Sequence, residues 1–205
     1  MPGPSLECRR LRDFDRTDLP SVLRVFEAAP PCELRQAWLP SPEPDLRRGT
    51  VRAGWEGQAL LVLADLADDD IVSAATRLNE RAWELGDTFE MFLEADGALA
   101  YTELHVTPGN HHVQLRIPIP RPEGLAPERM MVVDTLFESR VWIETGRWRA
   151  LAEIPFASTL GRPARFSFSR YDYSRGRAEP VLSSTSPHAA LDFHRRHEWG
   201  TLSFS

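Results

Sequence analysis

The chain has 205 residues, 42% of them hydrophobic and 26% charged, which is typical of a globular protein and argues against a disordered one. The formal net charge is -6 and all 24 basic residues are arginine, so the charge gives no support to a nucleic-acid partner. No apolar run approaches the roughly 20 residues of a membrane-spanning helix, and the N-terminus lacks the apolar core of a signal peptide. We therefore expect a cytoplasmic protein without nucleic-acid or membrane partners.

The chain shows no long linker and no internal repeat, which predicts a single domain over residues 1–205. Residues 1–49 are expected to add N-terminal strands and a proline-rich loop, "LPSPEPDLRRG", to a core formed by residues 50–205. Residues 1–20 look polar and irregular. Residues 22–28 are predicted to form a short helix or a strand, ended in either case by the prolines that follow.

From residue 50 onward, one strand-like run follows another. Thr50–Trp55 and Ala59–Ala67 are predicted to form a hairpin around Gly57, which supplies the positive φ that such turns need. Further strand-like runs are "DTFEMFLEAD", "AYTELHVTP", "HHVQLRIPIP", "RWRALAEIPF", "ARFSFSRYDYSR" and "WGTLSFS". Short runs joined by turns, without long helices between them, predict an all-β fold, an antiparallel β-sandwich of immunoglobulin or jelly-roll type. Short helical turns are expected around residues 22–28 and 125–138.

Alternation along the strands separates core residues from candidate binding residues. The faces expected in the core carry Phe89, Met91, Leu93, Leu104, Val106, Phe166 and Phe168. The opposite faces carry Glu90 on one strand and Glu103 and His105 on the next. If these two strands pair, an acidic patch that includes an imidazole forms on the side of the sheet away from the core.

Five segments occur in a fixed order: "VRAGWEGQALLVLADLADDD", Trp83 with "GDTFEMFLE", "YTELHVTP", "EIPF" and "FHRRHEWGTLSF". Over roughly residues 50–205 this order resembles the family 9 carbohydrate-binding modules and their DOMON-like relatives. The resemblance implies a non-catalytic β-sandwich that binds a mono- or oligosaccharide in carbohydrate catabolism, often with structural calcium. The resemblance also implies attachment to a secreted glycosidase, which is the usual context of these modules.

The resemblance makes Trp83 and Phe193 the two aromatic residues that clamp a sugar ring. An aromatic face covers the C–H face of a sugar at little conformational cost, and carboxylates accept strong hydrogen bonds from hydroxyls. The candidate carbohydrate-binding residues are Trp83, Glu90, Glu103, His105, Arg170, Phe193 and His194. For several of them a structural role is the alternative: Trp83 as a packed loop residue, Glu90 as a solvated carboxylate, His105 as a structural histidine and Phe193 as core.

Metal sites have weaker sequence support. Four aspartates in "DLADDD" are candidate calcium ligands, with a solvated acidic turn as the alternative: Asp65, Asp68, Asp69 and Asp70. His188, His194 and His197 lack a further ligand at zinc spacing. Cys8 and Cys32 could pair, but free thiols are the prediction, since neither number nor spacing forms a disulfide or metal framework.

Other functions compete with sugar binding. The domain could have kept the fold and lost sugar binding. It would then serve as a protein-interaction module or bind another small ligand. Haem would need an axial Met or His pair, and Met91 is assigned to the core. A glycosidase would need paired carboxylates, but Asp87 and Glu90 fall on opposite faces of one strand. We predict that the protein is not an enzyme.

Overall fold

The structure, a computed structural model, describes residues 3–205. Met1 and Pro2, which the predicted domain 1–205 includes, lie outside the described residues. Strands hold 42% of the residues and helices 11%, which confirms a mostly β protein. No helix in residues 3–205 is both long and apolar enough to cross a membrane.

Twelve strands are described: β1 (Ser5–Arg10), β2 (Cys32–Glu33), β3 (Gly49–Glu56), β4 (Ala59–Ala67), β5 (Thr88–Ala95), β6 (Ala100–Val106), β7 (His112–Pro118), β8 (Glu138–Glu144), β9 (Arg147–Pro155), β10 (Pro163–Asp172), β11 (Val181–Ser184) and β12 (Gly200–Phe204). Two α-helices accompany them, α1 (Leu19–Phe26) and α2 (Ala82–Leu85). Single turns of 3-10 helix cover Pro127–Arg129, Phe156–Thr159 and Arg196–Glu198. The expected helical turns in the loops are thus present.

The strands form one hydrogen-bonded path in the order β7-β6-β5-β10-β12-β1-β3-β4-β9-β8, with β2 on β3 and β11 on β10. Strand β1 joins the two antiparallel halves, because Ser5–Cys8 pair in parallel with β12 and Arg9–Arg10 pair in parallel with β3. The sheet is therefore mixed and curls into a half-barrel. This corrects the prediction of a purely antiparallel sandwich, and it also corrects the reading of residues 1–20 as irregular.

The predicted hairpin is confirmed. Strands β3 and β4 pair antiparallel with Trp55 opposite Leu60, and Gly57 takes a φ of +58° in the turn. Most of the segment 22–28 belongs to the end of helix α1. The helix begins after Asp18, and the Asp18 carboxylate caps it by accepting the backbone N–H of Ser21 at 2.9 Å. Its apolar side packs on the outer face of β4 and β9, which anchors this N-terminal segment to the sheet.

One core lies on the concave side of the curled sheet and takes side chains from both halves. It includes Phe89, Met91 and Leu93 of β5 together with Phe166 and Phe168 of β10, as the alternation predicted. Burial of each such side chain stabilises the fold by roughly 1.5–3 kcal/mol.

The opposite face of β5, β6 and β7 is also buried, which the alternation did not predict. All eight residues of β5 are buried. A second apolar cluster covers this face, built from strand residues such as Phe92, Tyr101 and Leu115 and from loop residues such as Met130 and Phe193. The predicted polar patch consequently lies beneath loops rather than in open solvent.

Candidate functional site

Strands β5 and β6 pair, which was the condition for the polar patch, and they bring three polar side chains together. Glu90 lies directly opposite His105 in the antiparallel register, and Glu103 lies two residues before His105 on the same face. His105 Nε2 is 2.7 Å from Glu103 Oε1 and 3.3 Å from Glu90 Oε1. We call Glu90, Glu103 and His105 the floor triad.

The floor triad is buried and incompletely satisfied. The exposed fractions are 3% for Glu90, 6% for Glu103 and 0% for His105. One oxygen of each carboxylate, Glu90 Oε2 and Glu103 Oε2, has no hydrogen-bond partner, and neither has His105 Nδ1. Buried polar atoms are nearly always paired, so these three free atoms are available to a ligand.

The two carboxyl groups of the triad differ in their affinity for a proton. Burial raises the pKa of Glu90 to about 8, against a smaller opposing effect of His105. Burial also acts to raise the pKa of Glu103, but its hydrogen bond to His105 and the charge of that ring leave this pKa below its usual value. Burial disfavours the charged imidazole, yet the two carboxylates raise the pKa of His105 overall.

A cavity of about 240 Å³ lies above the triad, and both of its glutamates form part of the lining. Its walls consist mainly of apolar residues and include four aromatic side chains, Trp83, Phe92, Tyr171 and Phe193. Three polar residues lie at its rim: Arg121, Asp192 and His194. A concave apolar site with a few convergent polar groups is the usual form of a small-ligand site.

Trp83 lies on the short helix α2 rather than in an extended loop, and it is half-buried. Its carbonyl accepts a 2.7 Å hydrogen bond from the hydroxyl of Tyr173. Gly86 ends the helix with a φ of +146°, where a Cβ would lie 2.2 Å from the carbonyl oxygen of Val72. Asp87 then binds two backbone N–H groups, those of Val72 and Tyr173, each at 2.7 Å. These local contacts fix the Trp83 indole over the cavity.

Phe193 is buried, with 6% exposed, and still contributes to the cavity wall. Its ring contacts the rings of Trp38 and Tyr171, each with centroids 6.0 Å away, and its carbonyl accepts the indole N–H of Trp199 at 2.8 Å. The structure therefore gives Phe193 a place in the core and in the cavity wall at once.

His194 lies at the rim with its Nδ1 2.7 Å from the hydroxyl of Tyr101 and 3.8 Å from Glu103 Oε2. Burial lowers the pKa of His194, against a smaller opposing effect of Glu103, so the ring is mainly neutral at pH 7. Six of the seven predicted binding residues thus belong to the cavity or to its floor triad.

Comparison with solved structures identifies the fold. A Bacteroides uniformis protein assigned a carbohydrate-binding role matches with a TM-score of 0.75 at 16% sequence identity, over 99% of this chain and 100% of that one. A family 9 carbohydrate-binding module from Caldicellulosiruptor kristjanssonii in complex with cellotriose gives 0.65 at 14% identity, over 98% and 93%. A family 9 module from the same organism in complex with glucose gives 0.67 at 13%, over 98% and 95%.

The chain has the fold of the family 9 carbohydrate-binding modules. The resemblance found in the sequence is confirmed at this level. No protein-family profile matches the sequence, and no curated protein does. At these low sequence identities the structural similarity establishes the fold alone. The function has to be inferred from the residues of the cavity.

Arg170 is the predicted binding residue that the family 9 fold places elsewhere. It lies opposite Phe89 in the register of β10 and β5, so its side chain points to the core side of the sheet. There it is 1% exposed and binds Asp68 at 3.0 Å and Asp172 at 3.1 Å. It also donates to the carbonyl of Ala67 at 2.8 Å. Arg170 is therefore part of a buried ion cluster and not of the cavity.

The four aspartates of "DLADDD" do not converge as a calcium site would require. Asp65 is paired with Arg149 at 3.0 Å, while Asp70 is held by Arg175. Asp69 is mostly exposed, whereas Asp68 is fully buried. Each of the four carboxylates is paired with arginine, Asp68 and Asp69 both with Arg47, so the expected four-ligand loop is not formed. The aspartates that do converge are Asp68, Asp87 and Asp172, and Arg170 and Arg47 lie among them.

Several cavity residues carried little or no sequence signal. Phe92 shares the face of Glu90 by alternation, so its place in the wall followed from the period of the strand. Arg121, Met130 and Asp192 lie in irregular segments where no period applies. The sequence therefore predicted the residues at the floor of the cavity better than those at its rim.

Proposed function

We propose that this cavity binds a single sugar ring without chemical change. The observation that carries the proposal is the combination of aromatic side chains in the wall with two buried carboxylate oxygens that have no hydrogen-bond partner in the protein. Aromatic faces cover the apolar side of a pyranose, while unpaired acceptors take hydrogen bonds from its hydroxyls. Relatives of this fold that were solved with glucose and with cellotriose support the same class of ligand.

The size of the cavity supports a short ligand. Its volume of about 240 Å³ lies below the roughly 300–1,000 Å³ of sites for drug-sized ligands. Leu191 and Asp192 at the rim are exposed. We therefore propose that one terminal ring enters the cavity and that any further sugar units extend past this rim into solvent.

The position of each residue in the cavity indicates how it would contact a sugar ring. Trp83 and Tyr171 offer half-buried rings, so their faces remain available to a ligand. Glu90 and Glu103 offer acceptors from the floor, and Arg121 offers donors from the rim. A ring held in this way contacts apolar and polar groups on different sides, which is how a polar ligand is oriented in a mostly apolar site.

Calorimetric titration with a panel of neutral mono- and disaccharides, including glucose and cellobiose, tests the proposal. We expect saturable binding by the wild-type protein and a loss of at least tenfold in affinity for Glu103→Gln, which removes the ionised acceptor. His112→Gln is the matched control, because His112 is half-buried on β7 and lies outside the cavity. No saturable heat with any sugar at millimolar concentration would refute the proposal.

Glycoside hydrolysis is a second candidate, because the two floor carboxyls have opposite pKa shifts, as an acid and its partner carboxylate do in glycosidases. Both carboxyls, however, are bound to the same imidazole nitrogen. Chromogenic aryl glycosides separate the two functions. Binding without turnover supports the binding module, and turnover that is lost in Glu90→Gln supports the enzyme.

A further inference from the structure

Three of the four buried carboxyl groups outside the triad are neutralised by arginine, whereas the fourth, Asp87, accepts two backbone N–H groups instead. Asp68 and Asp172 share Arg170 at 3.0 and 3.1 Å. Glu94 accepts two hydrogen bonds from Arg196, at 2.8 and 2.6 Å. This pairing offsets the high cost of removing a carboxylate from water.

The floor triad lacks such a partner. In residues 3–205 the ion pairs of Glu90 and Glu103 are formed with histidines only, His105 and His194. Two carboxylates that share one imidazole leave a buried excess of negative charge or force a proton onto one of them. A divalent cation bound among these groups would take the place of that proton and balance the charge of the carboxylates.

We propose that the floor triad binds a divalent transition-metal ion such as Zn²⁺, through His105 Nε2 and one oxygen each from Glu90 and Glu103. One imidazole and two carboxylates form a donor set that suits Zn²⁺ or a neighbouring first-row metal. Ca²⁺ and Mg²⁺ favour all-oxygen sites with six or more ligands, and the triad supplies neither the number nor the atom type.

The spacing of the donor atoms favours a metal ion over an ammonium group. Bonds of about 2.0–2.2 Å at ordinary coordination angles place ligand atoms about 2.8–3.6 Å apart. The two contacts of His105 Nε2 measure 2.7 and 3.3 Å, and donor atoms of all three residues lie within 4.8 Å of one another. An ammonium hydrogen-bonded at about 2.8 Å would hold its acceptors roughly 4.6 Å apart. The 3.3 Å contact fits the smaller ion as it stands. The 2.7 Å contact is a hydrogen bond in the metal-free protein, and it would open slightly when an ion replaces its proton.

The unpaired oxygens are an independent sign of a ligand. Glu90 Oε2 and Glu103 Oε2 are buried and have no hydrogen-bond partner in the protein, although both residues line the cavity. With three protein ligands, a tetrahedral ion keeps one position open, as catalytic and substrate-binding zinc sites do. That position would face the cavity, where a water or a ligand hydroxyl completes the coordination.

The backbone holds the three ligands in place before any ion arrives. Glu103 and His105 are two residues apart on β6, and Glu90 is the cross-strand partner of His105 on β5. These strands are flanked by β10 on one side and β7 on the other, so neither is an edge strand. Ligands on interior strands keep their geometry better than ligands on loops.

Titration of chelator-treated protein with Co²⁺, followed by visible absorption, and with Zn²⁺, followed by calorimetry, tests the site. We expect one ion per chain and a loss of at least about tenfold in affinity in Glu103→Gln and His105→Gln. His112→Gln should leave binding unchanged and controls for adventitious histidine ligation. Because His105 is fully buried, circular dichroism of each variant must first show an intact fold, and Glu90→Gln provides a milder third variant.

A second readout locates the ion. The Trp83 ring lies 5.4 Å from the His105 ring, so Co²⁺ in the triad should quench the fluorescence of Trp83. The cobalt-dependent quenching should therefore largely disappear in Trp83→Phe while the stoichiometry stays at one.

No stoichiometric uptake, or uptake that survives in both Glu103→Gln and His105→Gln, would overturn the proposal. The outcome is separable from that of sugar binding, because metal-free and metal-loaded protein can each be titrated with glucose. Ion binding without sugar binding would leave the metal site standing and remove the proposed function. Sugar binding without ion binding would do the reverse.

Discussion

The indole of Trp83 meets the imidazole of His105 edge to face, with ring centroids 5.4 Å apart and an interplanar angle of 73°. The contact joins the wall of the cavity to its floor. It also orients Trp83 without burying it fully, so part of the indole surface remains free. Trp83 is thus neither simply a core residue nor simply an exposed one. Its free surface is the part that the proposed sugar contact uses.

Trp83→Ala should weaken sugar binding without unfolding the protein. Loss of one stacking surface should cost about 1–2 kcal/mol of binding free energy, a roughly 5–30-fold higher Kd. Trp142→Ala is the matched control, since Trp142 is also half-buried but lies on edge strand β8 away from the cavity. Calorimetric Kd values for the two variants check the prediction, and equal losses in both would contradict it.

Arg170→Met should destabilise the fold and leave the sugar affinity of the folded protein unchanged. Removing one partner of a buried ion cluster typically costs about 3–5 kcal/mol of unfolding free energy. Arg175→Ala is the control, because Arg175 is exposed and pairs with Asp70 at the surface, where such pairs contribute at most about 1 kcal/mol. Denaturant unfolding measures both. A stable Arg170→Met protein that had lost sugar binding would return Arg170 to the binding site.

Arg170 shows which part of a residue's environment the alternation along a strand predicts and which part it does not. It has the same parity along β10 as Phe166 and Phe168, which were correctly predicted to face the core. The pattern alone placed its side chain on the core side, and only its charge suggested the solvent side. The missing information was the partner, because Asp68 lies 102 residues away in the chain and no local period reveals such a pairing.

Other parts of the fold had no local signal of any kind. Strand β1 is the polar run "SLECRR", and its parallel partners β12 and β3 are set by chain closure rather than by a turn. Phe193 lies in an irregular segment, so no period assigns it to core or surface. By contrast, Glu90, Glu103 and His105 lie in clean alternation, and their side of the sheet was predicted correctly.

Stability should fall as the pH rises from about 4 to about 7 because of Asp87. Burial raises the pKa of Asp87 from 3.8 to about 7, and nearby Asp68 adds to the rise, while Arg170 and two backbone N–H groups oppose it. Between these values the folded state holds a proton that the unfolded state releases, so raising the pH favours unfolding. Above about pH 7 both states are ionised and this contribution is constant.

The variant that isolates this effect is Asp87→Asn, which cannot titrate. Its unfolding free energy should be lower overall, because an amide cannot accept both backbone N–H groups that Asp87 binds. The difference between wild type and variant should narrow as the pH rises from 4 to 7, measured by urea unfolding at several pH values. A difference that does not change with pH would contradict the buried, protonated Asp87.

The two cysteines should react slowly in the folded protein. Both are free, and burial raises the pKa of Cys8 to about 12 and that of Cys32 to about 11. The thiolate is the reactive form, so at pH 8 a disulfide reagent should modify neither thiol quickly in native buffer and both quickly in urea. Rapid reaction of two thiols in native buffer would show that the segments around them open.

A crystal structure of the protein soaked with glucose would show whether a sugar ring occupies the cavity over Glu90 and Glu103. We expect a ring against Trp83, with a hydroxyl oxygen within about 2.5–3.0 Å of Glu103 Oε2. A ring bound elsewhere, or a cavity that stays free of sugar at a concentration that saturates calorimetric binding, would contradict it.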